Sequence, residues 1–158
     1  MSYHHVQVGR FYVVTMLVVG FVVALAAVYI GFSGGAVPAA TVALLTVPIG
    51  AAIVLVPFAR LNVGVGDDGD RSGRALRWSM TFGWPAGTIP ISEIAAAQIV
   101  PVTIWMGIGI HLTSRGWVWN VALGQGVQVR KRDGSSIVLG TDDADGLLAA
   151  IQGARAQR

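Results

Sequence analysis

The chain has no cysteine, which excludes a disulfide, a thiolate nucleophile and a Cys-ligated metal. Charge is also scarce: Asp, Glu, Lys and Arg make up 12% of the residues, against roughly 25% in an ordinary soluble domain. The deficit is uneven. Every acidic residue lies at Asp67 or later, and from Phe11 to Ala59 there is no Asp, Glu, Lys, Arg or His. The composition therefore averages two unlike pieces, 1–60 and 61–158. The net charge is +3 and the mean hydropathy +0.65. Arginines flanking apolar segments account for that charge, so it carries no inference of nucleic acid.

The first piece reads as a short tail followed by a transmembrane hairpin. Phe11 to Phe32, FYVVTMLVVGFVVALAAVYIGF, is long enough as a helix to cross a hydrocarbon layer of about 30 Å. A second apolar run covers about 39–59, with Pro48 expected to kink it and Pro57 near its end. Val and Ile are abundant in both, but two strands cannot close a barrel in lipid, so helices are expected. The joining SGGAVP is short and uncharged. Gly31 and Gly35 have GxxxG spacing, which turn chemistry beside the helix end explains better than a dimer face. Arg10 precedes the first run; Arg60, Arg71, Arg74 and Arg77 follow the second. The positive-inside rule then predicts a two-helix, multi-pass protein of the cell membrane, with its N-terminus and C-terminal domain cytoplasmic. The rival is a cleaved signal peptide, whose apolar core is usually shorter, about 7–15 residues.

The second piece alternates with period two, the mark of half-buried strands. Leu61, Val63 and Val65 form one strand. Leu76, Trp78, Met80 and Phe82 form the clearest. Another is expected near Ala96 to Val100. Ile108 to Leu112 and Trp117 to Val121 make a hairpin across SRG, and Val127 to Arg130 returns through Asp133-Gly134 to Ile137–Leu139. Thr141 or Asp142 is expected to cap a final helix, about 142–153, with Leu147, Leu148 and Ile151 as its apolar stripe. The expected fold is α+β: about seven strands in one strongly bent antiparallel sheet, closed by the helix over a core of Trp78, Phe82, Trp117, Trp119, Leu147 and Ile151.

Several motifs in this piece stand together: Met106-Gly107-Ile108-Gly109-Ile110, Gly116-Trp117-Val118-Trp119-Asn120, the Val127 to Gly134 hairpin, the Gly140 to Asp143 cap and the Leu147 to Ile151 helix stripe. In that order they resemble membrane-anchored bacterial pleckstrin-homology-like (PH-like) domains. Met106 and Trp119 depart mildly from the pattern. The resemblance covers roughly the last half of the chain, with paired helices before it as a common companion. It implies a PH-like fold, and its motifs are structural, so it implies no catalytic residues.

No catalytic, metal or cofactor constellation stands out. Gly64-x-Gly66-x-x-Gly69 matches a dinucleotide fingerprint in letters but opens no helix, and Asp67 and Asp68 would repel a pyrophosphate. Asp67, Asp68 and Asp70 lack the remaining ligands of a calcium loop. His111 has neither a Cys nor a carboxylate near it in sequence and is expected to face away from the core. Ser114, His111 and Asp133 have nothing to position them as a triad. Arg71, Arg74 and Arg77 in and after the first turn, with Trp84 and Trp105 in loops, are the candidate lipid contacts.

The functional expectation is a non-enzymatic, membrane-tethered module without cofactor. It would offer strand edges to a protein partner or a second copy, with β-augmentation as the mode. The alternatives are anionic-lipid binding through the basic turn and the Trp loops, and an accessory role in a larger membrane complex.

Overall fold

The computed structural model of the protein describes residues 2–32, 46, 49–50, 56–67 and 73–157. The first sheet holds β1 (Tyr3–Val8), β2 (Arg60–Asp67), β3 (Arg74–Met80) and β4 (Ala86–Pro90) in that order, every neighbouring pair antiparallel. The second holds β5 (Ile94–Val102), β6 (Gly109–Thr113), β7 (Gly116–Asn120), β8 (Gly124–Lys131) and β9 (Ser136–Gly140), ordered β5-β8-β9-β7-β6 with β7 and β9 parallel. Helix α1 (Arg10–Phe32) lies between β1 and β2 in sequence, and helix α2 (Ala144–Ala156) ends the fold.

Two expectations are corrected here. The strands divide into separate sheets of four and five, so the chain is not a helical hairpin followed by one bent PH-like sheet. The division falls where Ile91–Glu93 makes a single 3-10 turn behind Pro90 and buries Ile91. Pro90, with its φ of −56°, ends β4 and turns the chain into β5. Second, among the described residues only the α1 span Val13–Phe32 is long and apolar enough to cross a membrane. The two-span, multi-pass placement is therefore not supported. The second apolar run falls mostly outside the described residues. At its end Val56–Phe58 is a single 3-10 turn, where Pro57 has no N–H to offer a longer helix.

A further difference concerns the tail. Tyr3–Val8 is a strand, paired with β2 from Tyr3↔Val65 to Val8↔Arg60. The strands on either side of α1 therefore lie side by side, and Gly9 N–H donates to the Ala59 carbonyl at 2.9 Å. The chain leaves the domain and rejoins it at one place.

The core lies between the two inner sheet faces and under α2. Period-two alternation places Leu61, Val63 and Val65 of β2, Leu76, Trp78 and Met80 of β3, Val127 and Val129 of β8 and Leu139 of β9 in it, with Leu147 and Ile151 of α2 against them. Trp78 meets Trp119 edge to face at 5.8 Å between ring centroids, a favoured aromatic geometry. Two residues expected in this core are outside it. Phe82 is 72% exposed because β3 ends at Met80 and Gly83 N–H closes a turn on the Met80 carbonyl. Trp117 is 51% exposed at the open side of the sheets. A second, smaller cluster (Val100, Val102, Val118 and Val138) covers the other face of the second sheet.

Helix α2 is capped by Asp143, whose Oδ1 accepts from Gly146 N–H at 3.0 Å, and not by Thr141 or Asp142. Thr141 Oγ1 instead accepts from Asp143 N–H at 3.1 Å and so fixes the cap. At the far end the Arg155 guanidinium donates to the Ala95 carbonyl at 3.0 Å, tying the helix to β5.

Two glycines give a sharp test of the packing. Gly116 has φ +95°, and a Cβ there would stand 2.0 Å from the Ser136 carbonyl oxygen of β9. Gly134 has φ +87° but open space around it. Gly134→Ala is expected to cost about 1–2 kcal/mol from backbone strain alone. Gly116→Ala is expected to cost clearly more, because it also pushes β7 off β9. Denaturant midpoints of the two variants in one detergent would check the order.

Candidate functional site

Two surfaces stand out from the remainder of the fold. The first is a cleft of about 480 Å³ between the sheets, walled by Trp78, Ile89, Ile110, Trp117, Trp119 and Ile137 with Lys131 at its edge. It exists because β4 is short and pairs only with β3 among the described residues. The first sheet thus stops before it covers the second. Leu112 and Trp117 are cross-strand partners on the inner face of the second sheet, and they are left 67% and 51% exposed. The backbone edges of β4 and β6 therefore border an apolar trough.

The second surface is a rim of exposed apolar side chains at the end from which α1 leaves. Register fixes this. Leu61 pairs with Met80, so the β3–β4 turn bearing Phe82 and Trp84 sits beside Arg60 at the base of α1. Thr81 locks it there: its hydroxyl donates to the Val56 carbonyl and accepts from Arg60 N–H, both at 3.0 Å. Gly9 lies against Val121, so closely that a Cβ would stand 2.6 Å from the Val121 carbonyl oxygen. Val121 opens the turn from β7 to β8. Val102 pairs with Gly124 just after that turn, and the Asn120 amide donates to the Gly107 carbonyl at 2.8 Å just before it. The 3-10 turn Ile104–Met106 is held between these two contacts. Phe82, Trp84, Ile104 and Trp105 are 72%, 76%, 70% and 94% exposed.

The sequence-derived lipid contacts separate on this frame. Trp84 and Trp105 belong to the rim. Arg74 is at the opposite end of β3, paired with Asp67 at 3.7 Å, about 20 Å away at 3.3 Å per strand residue. Arg77 lies midway along β3 with its side chain exposed, and Arg71 is outside the described residues. The basic turn and the Trp loops thus do not form one patch. The cations beside the rim are Arg10 and Arg60, both exposed. The cleft and the rim's Phe82 were missed from sequence because both depend on where strands stop, which alternation alone does not show.

Among the described residues no three His, Asp or Glu side chains could share a metal ion. His111 is half-buried, its ring against Gly107, and Nε2 has no hydrogen-bond partner among the described residues. Burial lowers its pKa below the ordinary histidine value. Asp133 is held in its own turn by Ser135 and Lys131, which lower its pKa to about 2. Its role is structural.

The densest polar contact joins the two ends of the chain. His5 Nε2 meets Asp142 Oδ1 at 2.5 Å, and the Tyr3 hydroxyl donates to Asp143 Oδ2 at 3.0 Å. Burial and the Asp143 carboxylate raise the Tyr3 pKa, so the phenol stays protonated. The hydrogen bond from His5 lowers the Asp142 pKa. No family model, curated protein or solved structure matches the chain.

The sign of the Asp142 shift gives a pH test. A carboxyl whose pKa is depressed by folding stabilises the fold above its unfolded value of about 3.9 and loses that contribution as pH falls through the folded value. Asp142→Asn should therefore lower the melting temperature at pH 5–6 and converge with wild type as the pH falls through the folded pKa of Asp142. The side chain is 66% exposed, so the difference should be small and shrink further in salt. Thermal melts across that range, at two ionic strengths, would check it.

Proposed function

We propose that this chain is a membrane-tethered, non-enzymatic interaction module, anchored by α1, whose inter-sheet cleft receives an extended segment of a protein partner. The observation that carries the reading is the closure of β1 on β2 around the base of α1. The helix has a mean hydropathy of 2.7 over Val13–Phe32 and none of that span is buried by the domain. In water such a surface would be uncovered; in lipid it is at home. Its docking through Gly9 and Ala59 leaves no linker, so the domain is held at a fixed attitude to the anchor. Removal of α1 as a leader would also take β1 out of the sheet, which favours an anchor over a cleaved signal.

The cleft supports the partner half of the proposal. A strand added along the β4 edge would gain backbone hydrogen bonds and could set apolar side chains against Trp117 and Trp119.

Alkaline carbonate should leave the full chain in the membrane pellet. Affinity capture from a detergent extract should recover a reproducible partner that Trp117→Arg loses, with the melting temperature of the variant close to wild type. Release of the intact chain by carbonate would overturn the anchor. A monomer with no partner sensitive to position 117 would overturn the cleft as the binding surface.

A further inference from the structure

We infer that the apolar rim around the base of α1 is a seat in the bilayer interface: Trp105, Trp84, Phe82 and Ile104 enter the headgroup layer of the membrane that holds the helix. This rests on the anchoring reading above and adds to it a second, separate contact with lipid.

Three observations argue for lipid as the occupant. The first is continuity. Val13, Met16 and Leu17 of α1 line one hollow together with Val56 and Phe82, so the rim's apolar surface runs into that of the helix without a polar break. The second is position. Three turns from separate parts of the sequence converge here: β3–β4, β5–β6 and β7–β8. Each sets out apolar side chains at the same end, including Leu123 at 47% exposure. Side chains this exposed would cost free energy in water if they had no second medium. The third is charge and residue type. Arg10 and Arg60 stand at the helix base among these residues. Among the described acids, Asp142 is engaged by His5 and lies within electrostatic reach of Arg10, Asp143 accepts from Tyr3, and Asp145 is in the first turn of α2. Asp67, Glu93 and Asp133 lie toward the far ends of their strands. Tryptophan beside arginine at the mouth of an apolar helix is the side-chain pairing that the membrane–water boundary favours.

The geometry also has a mechanical consequence. A helix alone fixes a domain at one point, and rotation about that point is cheap. Trp84 and Trp105 sit on different sheets, on turns held by Thr81 and Asn120 respectively. Two further contacts on separate sheets would fix the tilt of the domain, and with it the direction in which the cleft opens.

The test uses the full chain reconstituted into phosphatidylcholine vesicles, with and without dibrominated acyl chains, and reads tryptophan fluorescence after flotation. The expected result is quenching by brominated lipid that falls in Trp105→Phe, falls further in the Trp84→Phe/Trp105→Phe double variant, and is unchanged in Trp117→Phe. Iodide in the aqueous phase should quench the wild type less in vesicles than in detergent, and this second readout does not depend on any variant folding. A chain that floats with the vesicles but shows no quenching lost at positions 84 and 105 overturns the seat and leaves the anchor standing. Shielding from both bromine and iodide would also overturn it, since the rim would then be covered by protein such as a second copy. A chain that does not float overturns the anchor and the seat together.

Discussion

The closure of β1 on β2 is the constraint from which the rest of the architecture follows. Six residues before α1 and six after the apolar stretch are in register from Tyr3↔Val65 to Val8↔Arg60. That pairing forces the chain to return to its point of departure, whatever the path between. It makes α1 an outgrowth of the sheet, where a flexible leash would otherwise be possible. It also gives β2 a neighbour on both sides, so the buried Leu61, Val63 and Val65 belong to a central strand. A helix joined this way transmits orientation to the sheet, because Gly9 accepts from Val13 N–H of the first helical turn and donates to the Ala59 carbonyl beside β2.

The same closure explains where the polar groups lie. The inner side of β1 carries Tyr3, His5 and Gln7, while Val6 and Val8 face out. Inward polar residues would be costly unless paired. Tyr3 and His5 meet Asp143 and Asp142 at the start of α2, whereas Gln7 Oε1 is buried with no hydrogen-bond partner among the described residues. The start of the chain is thus recognised by the cap of the last helix, two elements at opposite ends of the sequence. Asp143 serves both contacts at once: one oxygen accepts from the helix backbone and the other from Tyr3. Loss of β1 would remove a strand and also loosen the cap, so β1 and α2 are energetically coupled.

This inversion is the reason β1 could not be read from sequence. YHHVQV alternates, but with its apolar residues on the outside, and its partner lies beyond the whole apolar stretch. Local pattern finds strands whose inner face is apolar, which is why β2, β3, β5 and the β6–β7 and β8–β9 hairpins were legible. β4 was hidden for a different reason: AGTIP has a Gly and a Pro and buries one large apolar residue, Ile89. The single sheet failed at the corner Pro90 to Glu93, where an irregular segment separates two sheets, and the two-helix hairpin failed because among the described residues only α1 is long and apolar enough to cross a membrane. The candidate site was legible in part. Trp84 and Trp105 were recognisable as loop aromatics without a core face. Arg74 was adjacent to them in a linear reading and is at the far end of the strand in space. Phe82 and Trp117 continued the alternation of their strands, so only the observed strand ends and the short β4 show that both face solvent.

The two surfaces also differ in what they demand of the fold. The rim is built from turns, one pinned by Thr81 to Val56 and Arg60 and another by Asn120 to Gly107, so its side chains can adapt to a fluid boundary without disturbing the core. The cleft is built on the core itself. Trp78 both fills the interior against Trp119 and walls the trough, and Gly87 of β4 is so close that a Cβ would meet its indole ring. Anything that seats in the cleft therefore presses on the packing that joins the two sheets. The first sheet carries α1 and the rim turn at Phe82, and the second carries the rim turn at Trp105. A strand docked between them would bear on the angle between the two membrane contacts. On the proposed reading, partner binding and membrane attitude would be mechanically linked through the Trp78–Trp119 pair.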